Sequence, residues 1–414
     1  MDNIANYDNE LIDEIKYVFV NYIKPLINFD EKDIKIDKSD NFSCKRGYEQ
    51  FKYLDSAFVV SIHTQVFNKA TRKLINAVLD QLSVATKMVL NKVNYKNYDN
   101  YKFRDALYDS AFLRGLSRWL SGGKCNEIVY HIIKSLKEWS IKTYEHNRVK
   151  YGIIIDLDNA EGDGPDFLSY IQKDVSATIS NGEQTSYLLN NKGKIIRVGE
   201  ISRIISNADG NHIPLSPKNY EKICGVSDNS IIGFTLTENG AICCFKNLEL
   251  SVARLNGKWT IFNFKMFKKI FKNVLSLSNE NFIKDIYLSC LDVAFAGTGG
   301  CIALINNSKV DEIESVLPSK EDYSSKIMIT SLYEDNFTKL SRELRKELLA
   351  VDGACVLLED GRVRAFGALV NDVSRQLTGG ARAASACTLS KYGIAIKISA
   401  DGYLQVYKNK EIVF

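Results

Sequence analysis

Two short segments carry residue types suited to a phosphorylated ligand. Val351-Asp-Gly-Ala-Cys355 sets a carboxylate and a glycine ahead of an apolar run, and Gly380-Ala-Arg-Ala-Ala-Ser-Ala386 lies downstream. A carboxylate such as Asp352 is a hard oxygen ligand for a divalent cation. A glycine-rich start to a helix leaves backbone N–H groups unsatisfied, and these attract phosphate oxygens. Arg382, in that first turn, adds a guanidinium that fits a phosphate. One acid at a strand mouth and one guanidinium at a helix start can hold a nucleotide between them.

Such a site needs a strand under Asp352 and a helix from Gly380 or Ala381. Ala354 to Leu358 is a short, continuous apolar run, the pattern of a buried strand. A helix with Phe337, Leu340, Leu344 and Leu348 on one face is expected to deliver Asp352 to it. Asp360-Gly361 turns the chain into a second strand, Arg362 to Phe366. Upstream, a helix through Phe282, Ile283, Ile286, Cys290 and Ala294 stops at Gly297-Thr-Gly-Gly300, and Cys301 to Ile305 is a further strand. Strands at Gly393 to Ile398 and Tyr403 to Val406, around Asp401-Gly402, close the chain.

Residues 1–149 read as a helical N-terminal region, with amphipathic spacing around Gln65 to Val93, Arg104 to Leu120 and Asn126 to Lys150. At Tyr151-Gly-Ile-Ile-Ile-Asp156 the period changes to that of a buried strand. Strand patterns then pair around Asn190-Asn-Lys-Gly193, Asn239-Gly240 and Asn256-Gly257. Asn-Gly signals a hairpin because the primed turn needs positive φ at both central positions. Residues 150–264 therefore read as a β-rich or α/β sensor region, and residues 265–414 as an α/β domain with a mixed sheet. The recurring unit of strand, polar residue with glycine, strand near Gly193, Gly240, Gly361 and Gly402 hints at a duplicated sheet, although generic hairpins produce the same echo.

The net charge of the 414 residues is +4, and from Lys265 onward 20 Lys and Arg face 18 Asp and Glu. That balance argues against a dedicated nucleic-acid surface. Nine cysteines without Cys-x-x-Cys spacing, several in apolar patterns, fit a reducing cytoplasm. The polar, acidic start is unlike a leader, and no apolar run approaches the ~18 residues that a membrane span needs. A cytoplasmic protein without a membrane partner is expected.

In this order and context, the two opening segments resemble the hallmarks of the diadenylate cyclase domain, Asp-Gly-Ala and Gly-Thr-Arg-His-Arg-Ala-Ala. The resemblance covers about residues 265–414 and extends to the order of helices and strands. It implies a domain that condenses two ATP into cyclic di-AMP or a related dinucleotide, with two domains facing each other in a homodimer or higher oligomer. It further implies that Asp352 is the catalytic carboxylate holding Mg²⁺ or Mn²⁺, and that Gly353, Ala354, Gly380, Ala381 and Arg382 bind the nucleotide. The family's late Ser-Glu-Glu matches Ser399-Ala400-Asp401, which makes Asp401 a second metal-ligand candidate, although a plain hairpin turn is the favoured reading there.

The match is eroded. Ala383 stands where the family has its histidine, Ala384 where it has its second arginine, Ala381 for its threonine, and Val351 for the histidine before Asp-Gly-Ala. Arg375, Arg364 or Lys391 are candidates to compensate. The alternative is therefore a catalytically degenerate member of the same fold that binds a nucleotide as a signal or only dimerises. A third reading, an interaction protein alike only in architecture, predicts no ATP affinity. Elsewhere, the acidic loop Asp156 to Asp166 lacks the glycine and closing glutamate of a calcium loop and reads as solvated. Cys243-Cys244 reads as two strand residues on opposite faces.

Overall fold

Runs of Ile, Leu, Val and Cys form the centre of each large sheet. They are buried on both faces, as sheets covered by helices require. The structure, a computed structural model, describes residues 2–27, 29–39, 48–63, 68–91, 100–144, 146–182, 184–200, 230–246, 249–275, 279–317, 336–368, 370 and 380–413. It is a mixed α/β protein with mixed sheets, and the chain divides into two units, Met1–Phe262 and Asn263–Phe414.

The first unit opens with a helix, Asp2–Val18, that runs through a π-helical turn, Phe19–Ile23. Strands β1 (Ile34–Lys38), β2 (Tyr48–Tyr53) and β3 (Phe58–His63) then form an antiparallel sheet in the order β1-β3-β2. The helical reading of residues 1–149 did not anticipate this sheet, because β1 and β2 are short and carry charged residues among their apolar ones. Helices Lys69–Asn91, Asn100–Ser121 and Asn126–Trp139 follow. The last stops at Trp139 instead of reaching Lys150, and a hairpin of β4 (Thr143–Tyr144) and β5 (Asn147–Arg148) takes up the remainder.

Seven strands complete the unit: β6 (Tyr151–Asp156), β7 (Thr185–Leu189), β8 (Ile195–Glu200), β9 (Ile231–Leu236), β10 (Ile242–Lys246), β11 (Glu249–Leu255) and β12 (Lys258–Ile261). Their order is β12-β11-β10-β9-β6-β7-β8, with β6 and β7 parallel and the other pairs antiparallel. One hydrophobic core runs from Leu11 to Trp259 through helices and sheet alike.

The second unit holds helices Phe264–Leu275 and Glu280–Ala296, then β13 (Gly300–Ile305), β14 (Ala354–Leu358), β15 (Val363–Ala368), the helix Gly380–Leu389, β16 (Gly393–Ile398), β17 (Leu404–Lys408) and β18 (Glu411–Ile412). The sheet order is β15-β14-β13-β16-β17-β18, again with one parallel pair, β13 and β14. Gly297 ends the Glu280–Ala296 helix in the left-handed conformation, as a helix stop should.

Two local expectations are corrected. Phe337 and Leu344 do not share a helix. Phe337–Lys339 is a 3₁₀ turn, Leu340 is extended, and Ser341 caps a new helix, Arg342–Ala350, by accepting from the Leu344 N–H at 3.2 Å. A serine that satisfies an orphan donor outweighs the continuity of the apolar stripe. Of the Asn-Gly hairpins, Asn256-Gly257 has positive φ at both residues, whereas at Asn239-Gly240 only Gly240 does. There the Thr237 N–H donates to the Ala241 carbonyl, so the loop is longer than a two-residue turn.

Candidate functional site

The helix Arg342–Ala350 is held over the sheet by charge. Arg342 donates to both carboxylate oxygens of the buried Asp292, at 2.5 and 3.0 Å, and Arg345 pairs with Asp285 at 2.7 Å. From this fixed helix the chain leaves through an extended Val351 into Asp352, Gly353 and β14. Gly353 has φ +108°, and a Cβ there would collide with the carbonyl group of Gly367. Two backbones therefore cross at a position where only glycine fits. The pairing of β14 with β15 is irregular on either side of Val356 and resumes at Ala354↔Ala368, next to this crossing.

Opposite Asp352, the helix Gly380–Leu389 begins at a left-handed Gly380, followed by an exposed Ala381. Arg382 extends back to the strand mouth, its Nη2 3.3 Å from Asp352 Oδ1. The Asp352 side chain is 95% exposed and that of Arg382 35% exposed. The other guanidinium nitrogen rests over Gly299. A Cβ at Gly299 would fall 2.8 Å from Arg382 Nη1, 3.0 Å from the Ile398 carbonyl oxygen and 3.2 Å from the Ala400 nitrogen. The mouth is thus formed by Asp352, Arg382, Gly299 and the end of β16. Beneath it, burial pushes the Cys301 thiol up to about 12, with the Arg382 charge acting the other way.

The structure thus joins Asp352 to Arg382, places Gly353 and Ala354 directly behind the acid, and sets Gly380 and Ala381 on the helix start. Asp401 lies in the β16–β17 turn, where its own N–H donates to Ser399 Oγ at 3.2 Å, one residue beyond the Ala400 that borders Gly299. Ala383 and Ala384 are buried. Arg364 is paired with Glu314. Arg375 lies outside the described residues. Gly299 and Gly367 were not singled out as site residues. The signal for the first was the unusual length of Gly297-Thr-Gly-Gly300, more glycine than a helix stop requires.

Among the described residues, no group of three or more His, Cys, Asp or Glu gathers as a cation site. A Mg²⁺ or Mn²⁺ held through one carboxylate and a ligand's phosphates is compatible with Asp352, because such ions keep water and substrate oxygens as their remaining ligands. No described helix is long and apolar enough to cross a membrane. In the acidic loop, Asp156 accepts from the N–H groups of Asp158 and Asn159, and Asp166 caps the turn at Leu168. Neither family models nor curated proteins match this chain, so the chemistry of the mouth rests on its own residues.

Proposed function

We propose that the second unit is a nucleotide-binding module of the diadenylate cyclase type, reduced in catalytic groups, that responds to ATP or cyclic di-AMP. The observation that carries this reading is the convergence of Asp352 and Arg382 over Gly299, beside a buried Ala383 and Ala384 that bring no charge. A guanidinium at a helix start supplies the phosphate contact. The exposed acid would hold a divalent ion once phosphates complete its ligands, and that ion would neutralise phosphate charge. Two of the three polar phosphate contacts of the family motif are missing. Each such loss weakens phosphate binding by about 1.5–3 kcal/mol, and two together slow catalysis by several powers of ten.

The intact Asp352-Gly353-Ala354 favours a second reading, an active cyclase making cyclic di-AMP. That reaction depends on positioning and charge stabilisation more than on side-chain chemistry. It also requires two mouths to face each other, so a homodimer belongs to this reading. Product analysis of the full chain with ATP and Mn²⁺ or Mg²⁺, beside Asp352→Asn, separates the two. Binding without product, weakened in Arg382→Ala, supports the module; a cyclic dinucleotide that disappears in Asp352→Asn establishes the cyclase. Neither product nor binding would end both readings.

A further inference from the structure

The two large sheets share more than a strand count. β6 pairs with β9 over six residues, Tyr151↔Leu236 to Asp156↔Ile231, and β13 pairs with β16 over six, Gly300↔Ile398 to Ile305↔Gly393. Each of these central strands has its parallel partner on the other side, with Ile153↔Tyr187 answering to Ile302↔Cys355. This register places Leu189 on Leu357 and Ile195 on Val363. The hairpins between them are equal in length, with Gly193 and Gly361 both at positive φ. A register shift follows at the same place in each, between Leu188 and Leu189 and between Val356 and Leu357.

The agreement extends to irregular parts that hairpin propensity does not explain. An isolated bridge joins Asp166 to Lys194 and another joins Asn336 to Arg362, at matching positions. Beside them the N–H of the buried Phe167 donates to the Gly193 carbonyl at 3.0 Å, and that of the buried Phe337 to the Gly361 carbonyl at 2.9 Å. The next hairpins match as well, with Gly240 and Gly402 at positive φ and Thr237 and Ser399 in the same bonds. Beyond them, Lys246↔Glu249 corresponds to Lys408↔Glu411. Right-handed crossover rules make similar sheets common, but they do not fix bulges, bridges and loop lengths together.

At the mouths the two differ. The positions of Asp352, Gly353 and Ala354 are held by Gln184, Thr185 and Ser186 in the first unit. There β7 pairs with β8 in even register from Leu188 back to Thr185↔Glu200, whereas β14 and β15 carry a second register shift between Ala354 and Val356. The Asn181 side chain accepts from the Gln184 and Thr185 N–H groups at 2.8 and 3.1 Å and occupies those donors. The sequence between β8 and β9 contains no Gly-x-Arg.

We propose that the chain is a tandem of two copies of one sheet fold, and that only the second copy's mouth accepts a nucleotide, giving one nucleotide per chain. The stoichiometry rests on the nucleotide-binding reading of that mouth. The test is calorimetric titration of the full chain with ATP plus Mg²⁺ and, separately, with cyclic di-AMP. One site per chain is expected, weakened roughly tenfold or more in Arg382→Ala, a charged phosphate contact, and unchanged in Gln184→Ala. Both substituted side chains lie at the surface of their mouths, so folding is retained, which circular dichroism checks. Two sites per chain, or one site that survives Arg382→Ala and is lost in Gln184→Ala, would overturn the single open mouth while leaving nucleotide binding intact. No binding of either ligand would instead remove the reading of the mouth and the count with it. The duplication has its own readout: a crystal structure whose β6–β9 and β13–β16 registers or paired bulges disagree refutes it.

Discussion

Both copies fasten the helix before the first central strand to the segment that follows the buried phenylalanine, but with opposite chemistry. In the first, Trp139 donates to the Ile171 carbonyl at 2.9 Å and Gln172 to Ser135 at 3.0 Å, all neutral. In the second, Arg342 and Arg345 engage Asp292 and Asp285. Neutral bonds close a joint cheaply because nothing charged has to be desolvated. A buried ion pair gains little net stability but fixes direction, since a guanidinium and a carboxylate fit in few geometries. The ionic joint belongs to the copy whose helix delivers Asp352. The copy with the neutral joint leads to Gln184. Orientation is thus enforced where an acid has to meet a guanidinium.

The largest effects should come from what the copies share. Phe167→Ala and Phe337→Ala should each cost about 3–5 kcal/mol, the usual loss for an emptied aromatic site. Denaturant unfolding of the full chain should show two comparable shifts, and a large disparity would break the equivalence of the two turns. Next comes the joint. Asp292→Ala leaves Arg342 charged and partly buried and should cost about 3 kcal/mol or more, whereas Gln172→Ala should cost about 1 kcal/mol. Equal losses would mean that the ionic joint is no stiffer than the neutral one. Ala384→Arg, which writes in the arginine of the motif this segment resembles, should destabilise by about 2–4 kcal/mol because it forces a charge into a buried position, which denaturant unfolding checks.

The smallest effect is shared by both copies. Burial pushes the thiols of Cys243, Cys301 and Cys355 up to about 12. The folded state therefore keeps protons that the unfolded state releases above the ordinary thiol range. This contribution is complete below that range and is lost as pH rises toward about 12. A thiol reagent at neutral pH should leave the seven described, buried cysteines unmodified until the chain unfolds. More than two fast thiols per chain would contradict this, since only Cys44 and Cys224 lie outside the described residues.

Much of the sheet architecture was legible because apolar runs bounded by glycine turns carry their own meaning. β6, β7, β9, β13, β14 and β16 lie where continuous runs such as Tyr151 to Asp156 and Cys301 to Ile305 place them. The break at Ser341 was not legible, because a cap and an apolar stripe make competing claims on the same residues. The Asp352–Arg382 pair was foreshadowed by chemistry and placement. The part Gly299 plays beneath it was hidden, since a glycine that admits a guanidinium looks like one that stops a helix. The duplication was faintly visible as repeated glycine turns and became persuasive only through paired bulges and bridges, which leave no mark on composition.

Carrying both copies on one chain has a genetic consequence. In a symmetric pair of identical chains each substitution is written twice, once into each mouth. Here Asp352 and Gln184 are encoded separately. Either mouth can be rewritten while the other keeps its wording, and a lost acid in one copy need not be inherited by its twin.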